Sequence, residues 1–327
     1  LVDEQPVIPP TKQTVLADSD RYMGVSAMAG GKLQEFLNSL NLQEMNFKSV
    51  ADLYDYLLKN AGEQGYSSKE IEALMSRFLS QKDLNLFYEE LHDNSPDSLA
   101  SSLARMNLKA NSIYTSDALL DFLFKNSATA NYSIDDLRNT LYKIASLNRD
   151  PLELIKLLES YATGDLAAYL ATMRQNSKLY PDSRAVADHI MKGLLAGEFP
   201  PDQLHSVLSL AAADINVHFL AQSLIFISSD NLKQTLLDLD MDQQKIWNSQ
   251  QLISHLLENA DLRNYSKREV LENIEKVRRD PYYFVDLFRK MLLEKATGSL
   301  KEFLQEMDIR NLKLNTFEEL LQYLLNQ

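Results

Sequence analysis

Five histidines, three spaced aspartates and one serine two residues after a glycine are the residues whose types could do chemistry in this chain. The histidines are His92, His189, His205, His218 and His255. Imidazoles hold metals or move protons when they converge with carboxylates, but no HExxH or other ligand spacing links any of them. His189 and His255 fall at corresponding places of a repeat described below, where other copies carry Tyr56 and Phe122. An amphipathic ring at a half-buried position is therefore expected there. Asp238, Asp240 and Asp242 begin like a calcium loop, which needs Gly at its sixth position and Glu at its twelfth. Gln243 and Ser249 stand at those positions, so a helix end is expected. Ser26, within Gly24–Met28, lacks the second glycine and the preceding strand of a nucleophile elbow. Asn131-Tyr132-Ser133 and Asn264-Tyr265-Ser266 match a glycosylation acceptor pattern, but both fall on one turn of the repeat, where capping accounts for them. Without cysteine there is no thiolate and no disulfide. No catalytic residue, no metal and no cofactor is expected.

The elements that carry these residues recur along the chain. Leu33, Leu99, Leu166, Leu232 and Leu300 each open a similar segment, at spacings of 66, 67, 66 and 68. Apolar residues follow four and seven positions on, as in Leu37 and Leu40 or Leu103 and Met106, which is one stripe of a short amphipathic helix. Ser49, Thr115, Asp182, Asn248 and Thr316 repeat the same spacings. All five are N-cap types whose side-chain oxygen accepts an orphan backbone N–H. A third column is aromatic, Tyr66, Tyr132, Phe199 and Tyr265, and a fourth is Leu91, Leu158, Leu224 and Leu292. The spacing predicts an all-α, tandem helical-repeat solenoid of four units, each of about 67 residues and four short helices, plus a half unit. The boundaries are residues 1–32 for an extended N-terminal arm, then 33–98, 99–165, 166–231 and 232–299 for the units and 300–327 for the half unit. A unit of this size cannot bury its apolar faces alone, so stacking of neighbours is expected to make a continuous core.

Composition agrees with helices. Glycine and proline total 18 of 327 residues, about half the usual share, which argues against turn-rich β-folds. The net charge of −13 excludes general binding to a nucleic-acid phosphate backbone. No apolar run reaches the length of a membrane-spanning segment. Charge drifts along the chain: residues 33–98 hold 12 acids and 5 bases, residues 263–295 hold 9 bases and 6 acids. Solvated helix faces explain that drift, and an electrostatically polar rod is the alternative.

Leu33 to Leu40, Ser49 to Ala61 and Tyr66 to Glu70, with their looser copies, resemble tandem α-helical repeats in extracytoplasmic proteins of Bacteroidetes-type bacteria. The resemblance covers Leu33 to the end and rests on core leucines and helix caps. It implies a scaffolding or docking segment of a larger periplasmic or cell-surface protein, and it implies no catalytic residues. Residues 1–32 fit no repeat and read as a linker or as an arm that docks on the first unit. The apolar pattern that continues to Leu325 reads as a piece of a longer protein.

Departures from the repeat point to partners. From Pro200 to Ser229 there is no Lys or Arg, and the helix from Val217 to Ile227 is apolar nearly all round. Such a helix is buried or meets another surface. Phe219, Ile225, Phe226 and Ile227 are the candidate protein interface, with cover by the N-terminal arm or by local repacking as the alternative. The functional expectation is a non-catalytic array that binds or scaffolds a protein partner or a flanking domain. A structural spacer is the alternative, and an enzyme with an inter-repeat cleft would be marked by a deep pocket of converging charged side chains.

Overall fold

The computed structural model of the protein describes residues 16–17, 20–280, 282–312, 314 and 317–326. Most of the N-terminal arm and the cap position Thr316 lie outside the described residues. Among those residues the chain is all-helical, with one isolated antiparallel bridge, Gln81 to Asp214. Among the described residues no helix is long and apolar enough to cross a membrane.

In chain order the first eight helices are α1 (Val25–Met28), α2 (Gly31–Ser39), α3 (Val50–Gln64), α4 (Ser68–Ser80), α5 (Leu84–Asn94), α6 (Asp97–Ala104), α7 (Ser116–Asn126) and α8 (Ile134–Ser146). They continue as α9 (Pro151–Tyr161), α10 (Gly164–Gln175), α11 (Ser183–Ala196), α12 (Pro201–Ala213), α13 (Val217–Ile227) and α14 (Asp230–Leu237). The last are α15 (Ser249–Arg263), α16 (Lys267–Arg279), α17 (Tyr283–Lys295), α18 (Gly298–Glu306) and α19 (Phe317–Leu325).

Local chemistry places many of the starts. Ser49, Thr115, Asp182 and Asn248 accept the backbone N–H of Asp52, Ala118, Ala185 and Gln251 at 3.2, 3.1, 2.8 and 2.8 Å. Each thereby satisfies one of the orphan donors of α3, α7, α11 and α15. Asp150 caps α9 reciprocally with Glu153, and Pro151 supplies the preset backbone angle of the first turn. Helix α16 starts without such a bond at Ser266, and its bases Lys276, Arg278 and Arg279 fall in the last turn, where the helix dipole favours them.

Two large apolar clusters organise the packing. Helices α1–α4 share one with α13–α16, and α5–α12 build the other among themselves. The chain leaves the first group at Ser80–Lys82 and returns to it at Ala213–Ile215. These two crossings run side by side: Lys82 donates its backbone N–H to Ala213 at 2.8 Å and Ile215 donates to Ser80 at 3.0 Å. Helices far apart in sequence are thus brought together, with α4 against α15 and α3 against α16. Arg268 on α16 reaches Asp52 and Asp55 on α3 at 2.7 and 2.5 Å, and Lys267 reaches Glu72 on α4 at 2.7 Å. A third, smaller cluster gathers α17–α19 around Val285, Leu304 and Leu320.

The segment before α2 docks into this frame. Val25 is fully buried, and Tyr22 donates its hydroxyl to Glu275 on α16 at 2.9 Å. Glu275 also accepts the backbone N–H of Val50 at 2.8 Å. Gly24 lies so close to the segment before α7 that a Cβ would sit 2.5 Å from the Thr115 methyl and 2.6 Å from the Tyr114 carbonyl. Close backbone approach, rather than nucleophile geometry, accounts for the glycine two residues before Ser26.

Candidate ligand cavity

Four interhelical joints meet at one place. The connections α4–α5, α8–α9, α12–α13 and α16–α17 together line a cavity of about 720 Å³, within the range of small-molecule and peptide sites. Its lining grades from exposed Glu89, Asp93 and Gln222 to buried Ile144, Asp214 and Arg278. Every joint contributes because each helix must reverse there, and reversal leaves polar backbone and short polar runs that cannot join the apolar clusters.

Asp214 is the hub of the floor. Its Oδ1 accepts the Tyr161 hydroxyl at 2.8 Å, the Ser249 backbone N–H at 3.2 Å and a short bond from the Ser249 hydroxyl. Its Oδ2 has no hydrogen-bond partner in the chain. Arg149 stands with Nη2 at 3.8 Å from that oxygen, too far for a hydrogen bond, while Nη1 donates to the Ala145 carbonyl at 2.8 Å. Burial pushes the Asp214 carboxyl up to about 6, against the partial counter-pull of Arg149 and its hydrogen bonds. The same burial lowers Arg149 and raises Tyr161 well above the ordinary tyrosine value, the latter reinforced by Asp214.

Arg278 is held from the other side. Its Nε donates to the Gln81 carbonyl at 2.7 Å, and its guanidinium lies 4.4 Å from the Phe78 ring centre. Nη1 of Arg278, like Nη2 of Arg149, has no acceptor in the chain. Burial lowers the Arg278 pKa. Lys82 pairs with Glu90 at 2.6 Å, and His218 lies 3.5 Å from Glu153 at the mouth.

The sequence candidates are dispersed. His92 is buried on α5. His189 stacks on Tyr169 with ring centres 5.6 Å apart and lies exposed. His205 stacks on Phe124 at 4.6 Å and accepts from Arg138 Nε at 2.6 Å; burial and then Arg138 lower its pKa. His255 is half-buried, and burial lowers it too. Among the described residues no group of three or more His, Asp or Glu is arranged to hold a metal. Asp238 closes α14 and accepts from the Gln234 amide at 2.7 Å, Asp240 accepts from the Gln243 backbone, and Asp242 pairs with Lys156 at 2.5 Å, so the three aspartates act in a helix end, a turn and an ion pair. Ser133 caps α8 in a capping box, while Asn264 ends α15 in the left-handed region at φ 56°.

Phe219, Ile225, Phe226 and Ile227 are all half-buried. The Phe226 ring meets Phe288 of α17 edge-on at 6.5 Å. Ile225 and Ile227 pack against the α1–α4/α13–α16 cluster, and Phe219 lines the cavity. Arg149, Asp214 and Arg278 were not singled out from the sequence. The available signal was charge at a joint, Arg149-Asp150-Pro151 and Arg278-Arg279-Asp280-Pro281, a pattern that solvated turns share. Compared with protein-family models, curated proteins and solved structures, the chain matches none.

Proposed function

We propose that the chain is a tandem helical-repeat array, four units of about 67 residues with a half unit, that acts as a non-catalytic protein-binding or scaffolding segment. Recurring bonds support the repeat. The hydroxyls of Tyr66, Tyr132 and Tyr265 donate to the carbonyls of Leu57, Leu123 and Leu256, nine residues earlier each time. The amides of Asn60, Asn126 and Asn259 donate to the carbonyls four residues before them. Asn46, Ser112 and Lys245 share the left-handed backbone region, three non-glycine residues at corresponding turns.

The observation that carries binding is the cavity: the four joints converge on one opening with buried guanidinium groups at its floor and acids at its mouth. The full chain and a Leu147→Trp/Gln222→Trp variant, altered at two exposed positions of the mouth, would be used to capture proteins from an extract of the native host. Partners held by the wild type and lost by the variant support the reading. Partners held equally by both would contradict a cavity role, and capture of none would favour the spacer.

Charged side chains converging in that cavity are the mark expected of an enzyme cleft, and with Asp214 they favour catalysis as a second reading. Asp214 has a carboxyl pushed up to about 6, with an unpartnered oxygen in the cavity, the arrangement of a general acid or base. Binding accounts for more of the site, because the hydroxyl closest to Asp214, that of Ser249, is fully buried and is out of reach of a substrate as a nucleophile.

A further inference from the structure

The two large apolar clusters are separate bodies. Helices α1–α4 with α13–α16 make the first lobe and α5–α12 the second. Close helix packing stays inside a lobe, as in α4 against α15 or α8 against α12, and among the described residues no close pair joins α5–α12 to the other helices. From α1 onward the chain passes between the lobes twice, at residues 81–83 and 214–216, three residues between helices each time.

Polar contacts hold the lobes face to face. Arg77 meets Asp117 at 3.1 Å, Lys109 meets Asp20 at 3.0 Å, Lys156 meets Asp242 at 2.5 Å and His218 lies 3.5 Å from Glu153. At least one side chain of each pair is exposed, and exposed ion pairs hold weakly and are screened by salt. The segment before α1 adds a strap, with Leu16 exchanging backbone bonds with the Asn85 side chain at 2.8 and 2.9 Å. Two bodies joined by a polar interface are expected to move relative to one another, where a large apolar interface would fix them.

The joints define the axis of that movement. Lys82 donates to Ala213 and Ile215 to Ser80, so the two crossings lie side by side and can turn together. Beside them Asp214 accepts from Tyr161 of the second lobe and from Ser249 of the first, and Arg278 donates to the Gln81 carbonyl. Hinges have this form, a few residues at element ends absorbing the change in backbone angles. The cavity adjoins the joints, with Leu86, Ile144 and Glu153 from the second lobe and Phe219, Gln222 and Val277 from the first. A turn about the joints changes the separation of these walls without unpacking either core.

We propose that the chain is a two-lobed clamp whose lobes turn about the paired joints at residues 81–83 and 214–216 to open and close the cavity. This adds a motion to the site of the binding reading and rests on that reading only for what the cavity holds.

The absence of cysteine lets spin labels go only where cysteines are introduced. Leu195→Cys/Leu262→Cys places one label near the end of α11 in the second lobe and one near the end of α15 in the first, both at exposed positions. Leu147→Cys/Leu195→Cys and Gln222→Cys/Leu262→Cys keep both labels within one lobe, again at exposed positions. Double electron–electron resonance on the full 327-residue chain is expected to give a cross-lobe distance distribution about twice as broad as either control, as two bodies on one hinge require. Adding Arg77→Met/Lys156→Met, which removes two ion pairs between the lobes, is expected to shift the cross-lobe distribution and neither control. Either result supports the clamp. A cross-lobe distribution as narrow as the controls and unmoved by that change overturns it. So does one that moves only together with the controls, since the lobes then deform instead of turning. Rigid lobes with protein capture that still depends on the cavity mouth overturn the clamp and leave the binding reading standing; moving lobes with capture indifferent to the mouth do the reverse.

Discussion

Removing one oxygen from each of three tyrosines tests whether the same bond does the same work in different parts of the chain. Tyr66, Tyr132 and Tyr265 are 5%, 5% and 8% exposed. Their hydroxyls sit 3.0, 2.7 and 2.6 Å from the carbonyl oxygens of Leu57, Leu123 and Leu256. Leu57 and Leu256 lie inside α3 and α15, where the helix also engages their carbonyls, so each Tyr→Phe change removes one bond without orphaning an acceptor. A net loss of about 1 kcal/mol is expected for Tyr66→Phe and for Tyr265→Phe. Leu123 lies in the last turn of α7, among the carbonyls a helix leaves without internal partners, so Tyr132→Phe is expected to cost more, about 1–3 kcal/mol. The converse change is sharper. Phe199 occupies the corresponding position and is 3% exposed. If the geometry repeats, Phe199→Tyr places its hydroxyl at the Ile190 carbonyl and is neutral or stabilising by up to about 1 kcal/mol. A hydroxyl forced into an unprepared core costs roughly 2 kcal/mol or more. Urea denaturation followed by far-ultraviolet circular dichroism reads these as midpoint shifts at constant slope. Neutral Tyr→Phe changes together with a strongly destabilised Phe199→Tyr would refute the reasoning.

Two further outcomes follow from buried carboxylates. Asp214 titrates near 3.8 when unfolded and is pushed up to about 6 by burial. Between those values the folded chain keeps a proton that the unfolded chain has lost, so this stabilising contribution, full below the unfolded value, fades as pH rises to about 6. The stability of Asp214→Asn relative to wild type is therefore expected to rise by about 2 kcal/mol from pH 4 to pH 7. A difference that stays flat across that range contradicts the assignment. Glu275 accepts from Tyr22 and Val50 in the core, and Glu275→Ala strands both donors, at about 1–3 kcal/mol each. Limited proteolysis is expected to cut the variant first in the segment carrying Tyr22 and Val25; unchanged protection would oppose this docking.

Much of the helical content was legible because its signals are local. Ser49, Thr115, Asp182 and Asn248 cap through atoms three residues away, and the leucine columns follow a period set by the helix itself. What the period does not encode is the identity of the neighbour. Leucines of α4 look the same whether they meet α3 alone or, as here, also α15 nearly two hundred residues on. The apolar helix from Val217 to Ile227 was legible as a covered face, but not that α17 supplies Phe288 against Phe226. The cavity was illegible for a related reason. Asp214 and Arg149 are ordinary charged residues in polar turns, and only the meeting of four joints takes them out of water. Charge at a joint is usually solvated, and its burial depends on packing between distant segments.

That packing is the central claim, since without α3 and α4 against α15 and α16 the four joints do not meet. The natural absence of cysteine makes the test clean. Cysteines replacing Asp55 and Arg268, whose charged atoms stand 2.5 Å apart across 213 residues of sequence, would be treated with a short bismaleimide at low protein concentration. Mass spectrometry of the digest is expected to find the two positions joined within one molecule, independent of dilution. Mono-adducts alone, or joining only between molecules, would contradict the closed packing and with it the cavity.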